Sequence, residues 1–286
     1  MSSIIKTLYS SSTSGQPSKI MIDKETATAQ VMAINTILRD FFGKERMTFI
    51  IFDSENVIKS TNGELSSRGV AIRGMLSLAK NVHFILDEKL ELNEKKLKEV
   101  LNSIDLDEKV CFFGFTWLLY VICADEKNTK ALKLLYALHN RENSALHIGG
   151  WKKLKDKAVT KEQFNLLLSD KLGISESHVV DFYGMTEQLG TVYPDCEYGF
   201  KHVPLYSELI VRDFNTLDLV KQGEIGLMQF ISPIPHSYPG ISLLSDDVGR
   251  IVGVDTCQCG RKGKYFVFEK RSEKAEVRGC GDTLSV

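Results

Sequence analysis

The chain has 286 residues, 43% of them hydrophobic and 26% charged, the composition of a globular protein long enough to bury one large core or two unequal ones. Lys and Arg number 36 against 37 Asp and Glu, a net charge of −1, so no basic excess points to nucleic acid and no polybasic run to an anionic membrane. The longest apolar run, residues 110–123, is too short to span a bilayer, and the N-terminus lacks the apolar stretch of a signal peptide. A cytoplasmic, reducing location is expected, in which the six cysteines read as thiols, ligands or nucleophiles before disulfides.

The first feature along the chain is Ser10-Ser11-Ser12-Thr13-Ser14-Gly15-Gln16-Pro17-Ser18-Lys19. Hydroxyls, free backbone N–H groups and a lysine suit phosphate oxygens. The Gly-x4-Gly-Lys-Ser/Thr spacing of a Walker loop is absent, and composition alone favours a solvated Ser/Thr loop. Asp23 is placed to N-cap a helix reaching about residue 42. Residues 47–52 (MTFIIF) have the pattern of a buried strand. Residues 66–80 read as helix, 82–86 as strand, 92–103 as a charged amphipathic helix and 110–115 as another apolar strand. Helices around 117–124 and 129–139 follow. Strand 145–148 then runs into His147-Ile148-Gly149-Gly150-Trp151, where paired glycines would let a flat base lie against backbone beside a tryptophan, or would simply turn the chain. Residues 160–172 are helical. Strand 179–182 ends at Tyr183-Gly184-Met185-Thr186-Glu187.

Strands alternating with helices predict a mostly parallel, doubly wound sheet. In such a sheet ligands bind beyond the strand C-termini. Thr186 there offers a hydroxyl and Glu187 a hard oxygen ligand for Mg²⁺, although Thr and Glu are also common at helix N-termini. After residue 190 the texture becomes β-like, with runs at 205–212, 224–232, 249–254 and 264–269. Ser245-Asp246-Asp247-Val248-Gly249-Arg250 precedes one of these runs, its carboxylates suited to ribose hydroxyls or to a turn. The expected organisation is an α/β subdomain over 1–190, a β-rich subdomain over 191–270 and a tail over 271–286.

In this order, these four segments resemble the adenylate-forming superfamily. Its phosphate loop, Ser-Ser-Gly-Thr-Thr-Gly-x-Pro-Lys, is similar to residues 10–19, with Ser12 in place of the first glycine and Ser14 in place of the second threonine. Tyr183 to Glu187 match its Tyr-Gly-x-Thr-Glu, Asp247 its ribose-binding aspartate, and Lys270-Arg271 through Gly279 its hinge, with Lys274 near the pivot. Within the superfamily, Gly149-Gly150-Trp151-Lys152, Lys201-His202-Val203-Pro204, Asp246-Asp247-x-Gly249 and the terminal Gly279-Cys280 resemble the LuxE family of acyl-protein synthetases, with phenylacetate–CoA ligase as a near relative.

The resemblance implies an N-terminal-domain-like α/β fold and ATP-dependent activation of a long-chain fatty acid to acyl-AMP. The acyl group would pass to the Cys280 thiol as a thioester and then to an acyl-CoA reductase-like partner. It implies that Ser11, Thr13, Ser14, Gly15 and Lys19 bind phosphates, that Gly149, Gly150 and Tyr183 frame the adenine, that Thr186 and Glu187 hold phosphate and Mg²⁺, and that Asp247 and Arg271 fix the ribose. Glycines on both sides of Cys280 suit a mobile segment, and Arg278 and Lys274 could lower its pKa; without the resemblance Cys280 reads as a free thiol on a tail. Enzymes of this kind carry a sizeable segment before the phosphate loop and a large C-terminal lid. Here the sheet is expected to be incomplete at its N-terminus and the lid absent. The alternatives are an acyl- or aryl-CoA ligase using free coenzyme A, and a non-catalytic partner subunit.

The remaining cysteines form a separate set. Cys257-Gln258-Cys259 is a Cys-x-Cys turn, and Cys196 and His202 are spaced Cys-x5-His. Together they could supply the three thiolates and one imidazole of a structural Zn²⁺ site, or remain a reduced, metal-free turn beside an unrelated cysteine. Cys111 and Cys123 lie in apolar runs and read as core.

Overall fold

In a computed structural model, the described residues are 3–9, 18–59, 66–105, 107–138 and 142–271. The elements run β1 (Ile4–Tyr9), β2 (Lys19–Asp23), α1 (Lys24–Phe42), β3 (Met47–Ser54), α2 (Ser67–Met75), β4 (Ala79–Leu86), α3 (Glu94–Ser103), β5 (Val110–Phe115) and α4 (Thr116–Ala124). Then come α5 (Thr129–Leu132), β6 (Ser144–Ile148), α6 (Lys161–Leu172), β7 (Val179–Tyr183), β8 (Tyr193–Pro194) and β9 (Lys201–His202). The last four are β10 (Glu208–Arg212), β11 (Gly226–Ile231), β12 (Ser242–Val254) and β13 (Lys264–Arg271). The chain forms two compact units, one of residues 45–181 and one of 1–44 with 182–286. The division drawn from sequence texture has boundaries near residues 190 and 270.

The 45–181 unit is α/β. Strands β4, β3, β5, β6 and β7 are neighbours in that order, with parallel pairing of β3 to β4, β3 to β5 and β5 to β6. Every residue of β3 and of β5 is buried, which is why the strands carry apolar runs, Phe49–Phe52 in β3 and Val110–Phe113 in β5, rather than alternating patterns. Phe49 faces Phe113, and Phe52 meets Phe112 edge-on with centroids 6.5 Å apart, an arrangement that aromatic quadrupoles favour. The expected helix 66–80 stops at Met75, and a short 3₁₀ turn hands the chain to β4 at Ala79. Gly74 stands one residue before that end and weakens the helix there. The pairing of Ala79 with Met47 and of Asn81 with Thr48 sets where β4 begins, tertiary pairing overriding local propensity.

In the other unit, β1 and β2 pair antiparallel, with Leu8 opposite Ile20 and Tyr9 opposite Lys19. Residues 10–17 come between them in sequence, so Ser11, Thr13, Ser14 and Gly15 lie outside the described residues. Asp23 caps α1 as expected, its side chain accepting from the Thr26 amide at 2.8 Å. Such a cap contributes about 1 kcal/mol. The C-terminal part is an antiparallel sheet in the order β10-β11-β12-β13-β9. Along β11 burial alternates, with Met228 and Phe230 inward beside Tyr193, Leu209 and Phe266, as a sheet with one covered face requires.

Strand β12 starts seven residues before the run expected at 249, and it absorbs the Ser245-Asp246-Asp247 segment expected to precede that strand. The register explains how. Leu227 pairs with Val248 and Gln229 with Leu244, so two steps on β11 face four on β12. The extra residues form a bulge, a device that re-aims side chains. Ser245 fills the ladder gap, donating to the Met228 carbonyl at 2.9 Å while its oxygen accepts from the Asp247 amide at 3.2 Å.

Candidate nucleotide site and metal centre

The bulge directs Asp247 inward, where it is 5% exposed. One carboxylate oxygen accepts the Tyr183 hydroxyl, and the other accepts Arg271 Nε at 3.0 Å. Arg271 is the cross-strand partner of Asp247 and the last residue of β13. Tyr183, at the C-terminal end of β7, stacks on Phe230 and Phe268 with centroids 5.2 and 5.7 Å away. Burial, reinforced by the Asp247 charge, holds its hydroxyl well above the usual tyrosine pKa, so Tyr183 stays a proton donor. The structure thus brings together three residues separated by 64 and 24 positions in sequence. Two of them donate to one carboxylate, which retains lone pairs for further donors.

Thr186 and Glu187 follow Tyr183 in a 3₁₀ turn, Thr186–Gln188. Thr186 is buried and Glu187 half-buried. The turn is anchored by Gln188, which the sequence reading did not single out. Its amide nitrogen donates to the Gly240 carbonyl at 2.8 Å and to the Phe230 carbonyl at 3.2 Å. Nothing in the sequence besides adjacency to Glu187 could have marked it. Two residues on, Gly190 has φ +92°, and a Cβ there would meet the Gln30 backbone of α1 at 2.5 Å. Both the left-handed backbone and the space demand glycine. Gly190→Ala is expected to cost about 2–3 kcal/mol, read as a lower urea midpoint with an unchanged slope.

Gly149 and Gly150 follow β6, at the strand C-terminus where parallel sheets bind ligands. Gly149 has φ +85°, and a Cβ on Gly150 would meet nothing within 4 Å. Thr116, also missed in the sequence, donates its hydroxyl to the Gly149 carbonyl at 2.7 Å and lies 2.9 Å from His147 Nδ1. That nitrogen is 3.6 Å from Asp181 Oδ1. Trp151 packs edge-on against Tyr120 and Phe164, so its ring is already committed to protein neighbours. Lys19 begins β2 and is exposed. Cys280, with Lys274, Arg278 and Gly279, lies outside the described residues.

Cys196, His202, Cys257 and Cys259 converge, with their ligand atoms all within 4.8 Å of one another. Cys196 Sγ lies 3.8 Å from Cys257 Sγ, and Cys259 Sγ lies 3.3 Å from His202 Nε2. A tetrahedron with metal–sulfur bonds of about 2.3 Å has edges of about 3.8 Å, slightly less where an imidazole takes a corner. The donor set and its spacing fit Zn²⁺. Burial pushes the Cys196 thiol up to about 12, so the thiol ionises only with a cation in reach. Burial and the Arg261 charge lower the pKa of His202, keeping its imidazole neutral and able to ligate. Cys111 and Cys123 are buried, with thiols pushed to about 12 by desolvation; they are core residues, as the apolar runs implied.

A family model described as acyl-protein synthetase, LuxE, matches residues 2–286. The long-chain-fatty-acid–luciferin-component ligase of Aliivibrio fischeri is 25% identical over 183 residues, covering 62% of this chain and 46% of that protein. Its counterpart from Vibrio harveyi is 25% identical over 181 residues, covering 62% and 44%. The match spans under half the length of either relative. Among solved structures, a 2-hydroxyisobutyryl-CoA ligase in complex with 2-HIB-AMP and CoA has a TM-score of 0.64 at 16% identity, covering 93% of this chain and 56% of that one. ATP-bound MatB from Rhodopseudomonas palustris has a TM-score of 0.59 at 14% identity, covering 94% and 48%. The fold is therefore that of adenylate-forming ligases, α/β with a mostly parallel sheet and added antiparallel sheets. No helix among the described residues is long and apolar enough to cross a membrane.

Proposed function

We infer the function from one premise: the chain belongs to the LuxE family of acyl-protein synthetases. We propose that it takes part in ATP-dependent activation of a long-chain fatty acid and in transfer of the acyl group to a protein thiol. A carboxylate is a poor electrophile. Its oxygen attacks the α-phosphorus of ATP, the bond to the β-phosphate breaks, and pyrophosphate leaves. The resulting acyl-AMP has a good leaving group. The Cys280 thiol then loses its proton, its sulfur attacks the acyl carbon, and AMP departs with the bonding pair. The thioester is handed to an acyl-CoA reductase-like partner.

The observation that carries this reading is the family match over residues 2–286. The Tyr183–Asp247–Arg271 network supports it from the chain's own chemistry. In this proposal Asp247 and Arg271 hold the ribose hydroxyls, and Tyr183 keeps Asp247 aimed while Gly149 and Gly150 leave room for the base. Thr186 donates to phosphate and Glu187 holds Mg²⁺, which supplies positive charge against the phosphates. Ser11, Thr13, Ser14, Gly15 and Lys19 bind the β- and γ-phosphates. Cys196, His202, Cys257 and Cys259 bind a structural Zn²⁺.

The test incubates the chain with ATP, Mg²⁺ and fatty acids of graded length. Fatty-acid-dependent ATP–pyrophosphate exchange is expected, together with a covalent mass gain equal to one acyl group, mapped by peptide analysis to Cys280 and released by hydroxylamine. Acyl-CoA formation without a protein adduct would instead make this a CoA ligase. No exchange, alone or with a reductase present, would make it a non-catalytic subunit.

A further inference from the structure

Arg261 closes the Cys257-Gln258-Cys259-Gly260-Arg261 turn and reaches beyond it. Its charge acts on the nearby Cys259 sulfur, two residues before it, and the Phe41 ring it covers packs with Cys259 against Cys196, Cys257 and Tyr265. Nε donates to Asp40 Oδ2 at 3.1 Å, and a terminal nitrogen donates to the Asp40 backbone carbonyl at 3.2 Å. The other terminal nitrogen is 3.7 Å from the Glu197 carboxylate. The guanidinium carbon sits 4.1 Å over the Phe41 ring, within cation–π range.

Two features make these contacts more than a surface ion pair. Asp40 and Phe41 lie in the last turn of α1, where backbone carbonyls lack helical partners and carry partial negative charge. A guanidinium that caps such a carbonyl while stacking on the next ring fixes the helix end in position as well as in charge. On its other side, Arg261 meets Cys259, the least buried cysteine of the four-residue cluster. A divalent ion with three thiolates and a neutral imidazole leaves one net negative charge, and Arg261 is placed to balance it.

Helix α1 spans about 28 Å at 1.5 Å per residue. It is held at its start by Ser237, whose hydroxyl oxygen accepts from the Asp23 amide at 3.1 Å and lies 3.0 Å from the Thr26 hydroxyl. It is held at Gln30 by Gly190, three residues past Glu187. At its end it is held by Arg261. We propose that Arg261 is the outer-sphere residue of the Cys₃His centre and that, through it, metal occupancy fixes the C-terminal end of α1. The metal then does more than staple two turns together. It sets one end of the helix that packs on the segment carrying Thr186 and Glu187.

This inference rests on the zinc reading above, and the experiment separates the two. The purified chain is stripped of metal and titrated with Zn²⁺ in competition with a chromophoric chelator. Amide hydrogen exchange at residues 40–43 is followed with and without the ion. The unaltered chain is expected to bind one equivalent, with exchange at those amides slowed at least about tenfold. Arg261→Gln is expected to bind zinc about 10–100-fold more weakly, the usual effect of removing an outer-sphere partner, and to lose the slowing. Asp40→Ala keeps the charge near the sulfur, so its zinc affinity should stay within about threefold while the slowing shrinks. Far-UV circular dichroism and the Asp40→Ala affinity guard against a simple failure to fold. Zinc binding by Arg261→Gln as tight as by the unaltered chain, or exchange at 40–43 indifferent to zinc, overturns the proposal. An unaltered chain that binds no zinc overturns the metal centre itself, and this inference with it.

Discussion

Asp247→Asn is expected to lower ATP–pyrophosphate exchange by about 100-fold at subsaturating ATP. The carboxylate accepts from Tyr183 on one oxygen and from Arg271 on the other. An asparagine of the same size offers one acceptor and one donor, so its NH₂ must face either the tyrosine hydroxyl or the guanidinium. One buried donor loses its partner, at a cost of about 1–3 kcal/mol. In the proposed nucleotide complex the ribose hydroxyls also lose a charged acceptor, worth about 1.5–3 kcal/mol. A net loss near 2.7 kcal/mol gives about two powers of ten in rate.

The loss falls on ground state and transition state alike, because the ribose does not react. The effect should therefore appear mainly as a raised KM for ATP with a smaller change in kcat. Tyr183→Phe is the control. It keeps the ring between Phe230 and Phe268 and removes only one donor to Asp247, so its effect should stay within about tenfold. An unchanged KM for ATP in Asp247→Asn would remove this residue from the nucleotide site.

The second large effect is expected from the metal centre. Removing Zn²⁺ with a chelator, or replacing Cys257 and Cys259 together by serine, is expected to lower the thermal midpoint by about 10–20 °C. Structural zinc contributes about 10 kcal/mol or more in isolated small domains. Here the 1–44 and 182–286 unit has a core of its own around Phe230 and Phe266, so a loss near 5 kcal/mol is the reasonable scale, at about 2–4 °C per kcal/mol. Without the ion, three thiols share a space less than 5 Å across with the buried Cys196 held protonated, and they no longer join the 196–202 segment to the 257–261 turn. Metal binding releases thiol protons, so the stabilisation should shrink as pH falls. Elemental analysis alongside calorimetry checks both points; a midpoint indifferent to chelation would leave the cysteines as packing residues.

Several features of the site were legible in the sequence because they are local. The Tyr183-to-Glu187 segment could be placed after a strand because the apolar run before it and the glycine after it lie within ten residues. The start of α1 at Asp23 followed from one capping side chain. Other features needed partners far away. Asp247 appeared as one of two carboxylates preceding a strand; its aim depends on a bulge that exists only against β11. Gln188 and Thr116 carry no motif, and their roles appear only when Gly240, Phe230 and Gly149 are in reach.

By itself, then, the sequence determined the start of α1 at Asp23, the buried strands β3 and β5, and the residue chemistry available after β6 and β7. Burial on both faces favours a run of apolar residues, and a helix start favours a cap, both written within a few neighbouring residues. The tertiary structure alone decided that residues 1–44 join 182–286, that Tyr183 and Arg271 grip one carboxylate, and that Cys196 meets Cys257 across 61 positions. Those outcomes are set by strand register and by the closing of long chain segments. In that competition each contact is decided against every alternative pairing, and no local window of sequence contains the alternatives.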